Sequence, residues 1–152
     1  MKLVHARDVP SGKRSGGQFT GDAWGDVLHE PGPGEPGARA NLVLFGPGGR
    51  TWWHRHAAGQ SIYVTGGGGF VKTEGELGVE IAPGDLVVVA PGEWHWHGAL
   101  PDHFVLHLTI NPGNEASTEW RGVEVGEDEY LAEIAAARVG GGELTRDRSG
   151  NS

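Results

Sequence analysis

The sequence predicts an all-β fold, a sandwich or a barrel, with one helix near its C-terminal end. The 152 residues include 28 glycines and 9 prolines, which interrupt regular segments and favour turns. Short apolar segments recur every 8–12 residues or so, roughly the spacing of small all-β domains. One stretch alone has the composition and end signals of a helix. Together these features favour many short strands joined by tight turns.

The strand predictions follow the turn signals along the chain. Residues 1–30 are weakly patterned, and residues 30–37 are predicted to be a surface loop because their prolines and glycines suit neither a helix nor a central strand. Beyond this loop, apolar or alternating segments predict strands over residues 41–45, 50–56, 61–65, 70–73, 78–81, 85–89 and 103–110.

The predicted helix covers residues 127–138. Its first turn is acidic, and it ends at Arg138 followed closely by glycines, as the helix dipole and a glycine C-cap favour. Residues 139–152 are glycine-rich and polar, so we expect a disordered tail there. Residues 1–138 are then a single domain.

Composition and charge restrict the class of function. The chain has no cysteine, which excludes disulfides and thiolate metal sites. Its net charge of −8, without a basic cluster, argues against nucleic-acid binding. No apolar run approaches the ~20 residues of a membrane span, and the N-terminus lacks a signal-peptide core. We therefore expect a cytoplasmic protein that acts on a small molecule, without nucleic-acid or membrane partners.

Five of the eight histidines lie in a pattern typical of a metal site. His54 and His56 are separated by one residue, as are His95 and His97, and His107 follows ten residues later. In a strand, residues i and i+2 point to the same face, so each pair can present two imidazoles in one direction. Neutral imidazole suits zinc, iron, nickel and copper.

Two motifs, over residues 48–67 and 84–99, resemble those of the cupin superfamily. The positions in register are Gly48, His54, His56, Gln60 and Gly67 in the first motif and Gly84, Gly92 and His95 in the second. Gln60 replaces the usual acidic ligand, Ala90 stands where proline is usual, and Ala99 stands where asparagine is common. The resemblance implies a double-stranded β-helix, the cupin jelly-roll barrel, with the helix outside it.

The full set of histidines resembles a narrower group, the small single-domain bacterial cupins that include the manganese-dependent hydroxynitrile lyases. This resemblance implies one divalent metal held by His54, His56, Gln60 and His95. Manganese is the first expectation, with iron, nickel and zinc as alternatives. His107 and then His97 are the expected acid–base residues. Small cupins also commonly assemble as homodimers or higher oligomers.

Each of these residues also has a structural interpretation. A neutral Gln60 ligand leaves the full charge on the metal and favours an anionic ligand, but the same side chain could instead bond a neighbour. Strand alternation buries His107 in apolar surroundings, which keeps it neutral and suits either a general base or a core histidine. His97 could face the cavity beside His95, or be a polar residue at the barrel mouth.

Three functions remain open from the sequence. The first is a metal-dependent lyase that cleaves and forms cyanohydrins, the second is an Fe(II) dioxygenase, and the third is a non-catalytic cupin that binds a small ligand. The tryptophans beside the histidines could line an apolar cavity or pack structurally. They are Trp52, Trp53, Trp94 and Trp96.

Overall fold

The computed structural model describes residues 1–35, 37–113 and 117–140. Within these ranges the chain forms thirteen strands, a 3₁₀ helix over Ala6–Asp8 and one α-helix, α1, over Glu127–Gly140. The strands are β1 Gly12–Arg14, β2 Phe19–Thr20, β3 Ala23–His29, β4 Ala38–Phe45, β5 Arg50–Thr51, β6 His54–His56, β7 Gln60–Gly67, β8 Gly69–Thr73, β9 Val79–Ile81, β10 Leu86–Val89, β11 His95–Ala99, β12 Val105–Pro112 and β13 Thr118–Trp120.

The strands form two sheets that enclose the core. The six-stranded sheet has the order β1-β3-β4-β12-β7-β10. The seven-stranded sheet runs β13-β6-β11-β5-β2, with β8 paired to β11 and β9 paired to β8. All named strand pairs are antiparallel. The core between the sheets consists of the buried side chains of Ala23, Phe45, Ile62, Val64, Val71, Ile81, Ala99 and Val105. The predicted jelly-roll barrel is confirmed.

Helix α1 covers the outer face of the seven-stranded sheet. Tyr130 and Ile134 on the helix belong to a buried cluster with Phe70 and Trp96 on the sheet, and the Tyr130 hydroxyl donates to the carbonyl of Ala99 at 2.6 Å. Consequently every residue of β11 is buried, on both faces. No helix in the described part of the chain has the length and apolar character needed to cross a membrane.

The predicted helix is confirmed and extends two residues further, to Gly140. The predicted tail therefore begins inside the helix, and its remainder, residues 141–152, lies outside the described residues. Residues 1–30, which show little pattern, contain β1, β2 and β3. Glycine and charged residues in β1 and β3 conceal their strand character, because sheet pairing rather than local propensity stabilises them.

Two predicted strands have different bounds in the structure. The segment 50–56 divides into β5 and β6, with Trp52 and Trp53 between them. The Trp53 indole packs beneath helix α1 and its Nε1–H donates to Glu129 at 3.1 Å, which turns the chain outwards at that point. The last long strand begins at Val105, since residues 101 and 102 form a turn and His103 and Phe104 lie outside the strand.

Gly67, the last residue of the first motif, shows why this position takes glycine. Its φ is +79°, a conformation that strains other residues. A Cβ atom there would lie 1.9 Å from the carbonyl oxygen of Phe104. Any larger residue would separate β7 from the start of β12, the strand that carries His107.

Candidate metal centre

Three histidines of the two motifs converge between neighbouring strands. His54 on β6 is the register partner of His95 on β11, and their ring centroids are 4.2 Å apart. His56 follows on the same face of β6, with its ring 5.1 Å from that of His54 and 5.6 Å from that of His95. The alternation inferred from the sequence therefore brings the three imidazoles together.

Each of these three rings is anchored through Nδ1. The carbonyl oxygens of Trp52 and Glu93 accept from Nδ1 of His54 at 2.9 Å and of His95 at 3.0 Å, and the Thr118 hydroxyl is hydrogen-bonded to Nδ1 of His56 at 3.0 Å. A proton on Nδ1 leaves Nε2 with a lone pair, the tautomer that ligates a metal. The Nε2 atom of His56 is buried and has no hydrogen-bond partner in the described part of the chain.

Gln60 meets this group from the facing sheet. Its Oε1 lies 3.0 Å from His95 Nε2, and its Nε2–H donates to Asn111 Oδ1 at 2.9 Å. Because His95 donates through Nδ1, its neutral ring has only a lone pair to offer towards the Gln60 oxygen. Two lone pairs at this distance repel each other unless a cation lies close to both, so His95 and Gln60 would hold a metal together.

His97 and His107 form a second pair. Their rings meet edge to face with centroids 5.0 Å apart, and His107 also stacks on Phe45 at 5.6 Å. His97 Nδ1 and both ring nitrogens of His107 are buried without a hydrogen-bond partner among the described residues. Neither ring is anchored in the way that the first three are.

A close group of possible ligand atoms also includes His97. One nitrogen each from His54, His95 and His97 lie within 4.8 Å of one another. His56 is outside this group although it is anchored and its Nε2 points into buried space. A nitrogen of His97 therefore meets this distance with His54 and His95, and none of His56 does.

Burial keeps these histidines neutral. It lowers the pKa of His54 and His97 well below the usual value, with neighbouring histidines adding repulsion. Burial lowers the pKa of His56 and of His107 to about 4 in each case, and it also lowers the pKa of His95. At neutral pH the rings can therefore bind a metal or accept a proton.

His54, His56 and His97 line a cavity of about 270 Å³ between the sheets. Trp120 stacks on His54 with ring centroids 4.7 Å apart, and Phe19 packs against Trp120 at 5.6 Å. The four tryptophans considered from the sequence are not among the described residues that line the cavity, so the structural interpretation holds for them. His97 lines the cavity, whereas His107 lies behind the lining.

The donor set fits a divalent metal. It consists of neutral imidazole nitrogens and one amide oxygen, with no carboxylate and no thiolate. Such a set suits first-row ions such as manganese, iron, nickel and zinc without selecting one of them. The facing lone pairs of His95 and Gln60 and the unpartnered His56 Nε2 are the observations that favour a cation here.

Sequence reasoning missed several residues around the site. Asn111 orients Gln60, Thr118 anchors His56, and Trp120 covers His54. Asn111 continues the buried face of β12 with His107 and could have been found by extending that alternation. Thr118 and Trp120 lie on a three-residue strand whose role depends on pairing with β6, for which the local sequence has no signal.

Comparisons with known proteins agree with this architecture. The Cupin domain family matches residues 41–110. A curated relative, an (R)-mandelonitrile lyase from Granulicella tundricola, is 41% identical over 110 residues, which cover 72% of this chain and 83% of the relative. A solved cupin-like protein from Thermotoga maritima is 36% identical, with a TM-score of 0.74 over 80% of this chain and 91% of that one.

A more distant solved structure shares the fold alone. The polyketide cyclase RemF from Streptomyces resistomycificus is 24% identical, with a TM-score of 0.67 over 86% of this chain and 90% of that one. The match to the mandelonitrile lyase at 41% identity covers most of both chains. The motifs, the two-sheet barrel and these relatives agree, and the chain belongs to the cupin family.

Proposed function

We propose that this chain is a metal-dependent cupin enzyme that cleaves and forms cyanohydrins, in the manner of a hydroxynitrile lyase. The observation that carries the proposal is the pairing of three anchored histidines and Gln60 with two unanchored, neutral histidines beside one small cavity. The relative named (R)-mandelonitrile lyase supports the same reaction. The cavity volume, about 270 Å³, suits a small organic substrate.

The two groups of histidines take separate roles. His54, His56, Gln60 and His95 hold the metal, which we propose to be manganese. When bound, this ion supplies positive charge beside the substrate oxygen or cyanide. Because the protein ligands carry no charge, they leave that positive charge undiminished.

His97 and His107 carry out the proton transfer. A neutral ring nitrogen of His97, which lines the cavity, accepts the proton of the cyanohydrin hydroxyl as the carbon–cyanide bond breaks. The electron pair of that bond leaves with cyanide, the oxygen becomes the carbonyl oxygen of an aldehyde, and the imidazolium returns its proton to cyanide. His107 packs edge to face against His97 and supports its ring from behind the lining. We therefore propose His97 ahead of His107 as the base, the reverse of the order expected from the sequence.

Elemental analysis combined with a mandelonitrile assay tests the proposal. We expect about one manganese per chain in protein purified with that metal, and release of benzaldehyde and cyanide without oxygen consumption. Oxygen uptake with an iron-loaded protein would favour a dioxygenase instead. Fully metal-loaded protein that neither releases cyanide nor consumes oxygen would favour a non-catalytic binding protein.

We also propose that the outer face of the six-stranded sheet packs against a second copy of this chain. Leu44, Tyr63, Leu86 and Val88 are between 37% and 72% exposed on strands β4, β7 and β10. Leu108 links β4 and β7 because it pairs with Leu42 on one side and Tyr63 on the other. Four strands about 4.8 Å apart and at most eight residues long, at about 3.3 Å per residue, give a face of roughly 500 Å², a large part of the ~800 Å² per partner that stable dimers bury.

Sedimentation velocity tests this contact. Tyr63→Glu together with Leu86→Glu introduces charges into the face, and we expect the protein to become monomeric. Leu131→Glu changes an exposed apolar residue of helix α1 and is the matched control, which should remain a dimer. A wild-type protein that sediments as a monomer at micromolar concentration would overturn the proposal.

A further inference from the structure

The cavity beside the candidate metal centre is lined by positive charge. Lys13, Arg14 and Arg39 line it, and none of the described lining residues is acidic. The chain as a whole has the opposite bias, with 20 acidic and 12 basic residues. A cationic lining in an acidic protein is a local property of the cavity, and it attracts anions.

The cations differ in how they are paired. Arg39 forms an ion pair with Glu30, and Lys13 forms one with Asp22 at 3.1 Å. Neither of these acids lines the cavity. Arg14 contacts the carbonyl oxygen of Gly25 at 3.5 Å, and the described residues show no carboxylate paired with it. Most of the five N–H donors of the Arg14 guanidinium are therefore available to bind an anion.

A buried polar side chain lies among these charges. Asn41 is 7% exposed, lines the cavity, and its Oδ1 has no hydrogen-bond partner within the described residues. It pairs in register with Thr109, whose side chain also lines the cavity. A buried amide oxygen that accepts no hydrogen bond is costly, and Asn41 Oδ1 is open to a hydroxyl donor of a bound molecule.

The strands that carry Arg39 and Asn41 also lie close to the candidate metal centre. Arg39 on β4 is the register partner of Asn111 on β12, and Asn111 Oδ1 accepts from Gln60 on β7. The backbones of Arg39 and Gln60 are thus two strand spacings apart, roughly 10 Å. A small molecule can span this distance, with an oxygen at the metal side and an anionic group towards the arginines.

From this arrangement we propose that the preferred substrates carry a carboxylate, which Arg14 and Arg39 attract by their charge while the rest of the molecule lies along Asn41 and Thr109. This inference deepens the proposed function and depends on it for the reacting end. A carboxylate forms charge-assisted, bidentate hydrogen bonds with arginine that a neutral group cannot form. The substrate class is therefore a small cyanohydrin or aldehyde with a carboxylate a few carbons away.

Calorimetric titration with a matched pair of ligands tests the proposal. The probes are 4-hydroxybutanoate and 4-hydroxybutanamide, which differ in charge but hardly in shape. We expect the acid to bind manganese-loaded protein at least about tenfold more tightly, and its affinity to fall with added salt. Equal affinity of acid and amide would overturn the proposal.

Two variants test whether Arg14 and Arg39 are responsible for the preference for the acid. Arg14→Gln, and separately Arg39→Gln, should remove most of the preference for the acid, while Arg138→Gln removes a charge from the distant end of helix α1 and should preserve it. If the acid preference survives both cavity variants, the carboxylate binds the metal and the proposal fails. Arg39→Gln also removes the ion pair with Glu30. Arg14→Gln leaves that pair intact, so it still tests the proposal if the Arg39 variant fails to fold.

The two proposals can fail separately. We expect the cyanohydrin of 4-oxobutanoate to be cleaved more efficiently than the cyanohydrin of its amide. If neither is cleaved but the acid still binds selectively, the lyase function fails and the anion site stands. If both are cleaved equally well and bind equally well, the lyase function stands and the anion site fails.

Discussion

Two groups of buried histidines lie side by side in this barrel and differ in one respect. His54, His56 and His95 each have Nδ1 held by a carbonyl or hydroxyl oxygen. His97 and His107 have no such anchor among the described residues, although they are equally buried. An anchored ring has a fixed orientation, which suits a ligand, whereas an unanchored neutral ring can gain and lose a proton.

The first prediction separates the two groups by metal content and has the largest expected effect. The double variant His54→Ala/His56→Ala should lose stoichiometric metal, with affinity reduced by about a hundredfold or more, because two ligands are removed. His97→Ala should retain about one metal per chain. Elemental analysis and circular dichroism of the wild type and both variants check this. Loss of metal in the His97 variant, with metal retained by a single His56→Ala variant, would transfer the ligand role from His56 to His97.

The second prediction concerns turnover by the unanchored pair. His97→Ala should lower the rate of mandelonitrile cleavage by about 10²-fold or more at full metal content, because a positioned base contributes that much. His107→Ala should lower it less, since His107 lies behind the lining. Steady-state rates normalised to bound metal measure both effects. A larger loss at His107 would restore the order expected from the sequence, and equal losses would indicate a shared proton relay.

A third prediction tests the neutral ligand. Gln60→Glu should tighten metal binding because a carboxylate compensates part of the ion's charge. It should also weaken the binding of azide or cyanide to the metal-loaded protein, for the same reason. The two affinities can be measured by metal competition with a chelator and by anion titration. Tighter azide binding in the variant would refute this electrostatic account of Gln60.

The fourth prediction concerns a variant that removes the hydrogen-bond partner of a proposed metal ligand and leaves the ligand itself unchanged. Thr118→Val removes the hydroxyl partner of His56 Nδ1 and should lower metal affinity by about tenfold, at the low end for groups that orient ligands. Thr65→Val removes an exposed hydroxyl that donates to the Leu106 carbonyl and is the matched control. If both variants bind metal like the wild type, anchoring is not what distinguishes the two groups.

The fifth prediction is the smallest and uses acid stability of metal-free protein. The unfolded chain binds protons at histidines near pH 6.5, whereas the folded pKa of His107 is about 4, so unfolding takes up protons in this window. Stability should therefore fall as the pH drops from 6.5 towards 4. His107→Phe should reduce that slope by about 1.4 kcal/mol per pH unit, measured by urea unfolding. An unchanged slope would mean that His107 is already protonated in the folded protein.

The sequence predicted how several of these side chains lie on their strands. Alternation alone placed His54 with His56, and it put His107 on the buried face of β12 with Thr109. The helix over residues 127–138 was predicted from its ends and is present with two further residues. These features depend on local periodicity and end signals, which neighbouring residues determine.

The anchors and the cavity could not be predicted in the same way. Thr118 reaches His56 across 62 residues of chain, and Asn111 reaches Gln60 across 51, through pairings that local propensity does not specify. Tertiary contacts also interrupt a strand that the sequence predicted. The segment 50–56 divides into two strands where the Trp53 indole packs beneath helix α1.

The residue types and their spacing were sufficient for the all-β class, the family resemblance and a set of candidate ligands, because strand periodicity is a local property. Which histidine has a fixed tautomer, which one lines the cavity and which charges surround it were decided only when strands far apart in the chain met. Arg14, Arg39 and Asn41 have no motif in common and come from two strands, β1 and β4. They line one cavity because β3 pairs with both strands and so brings them into the same sheet.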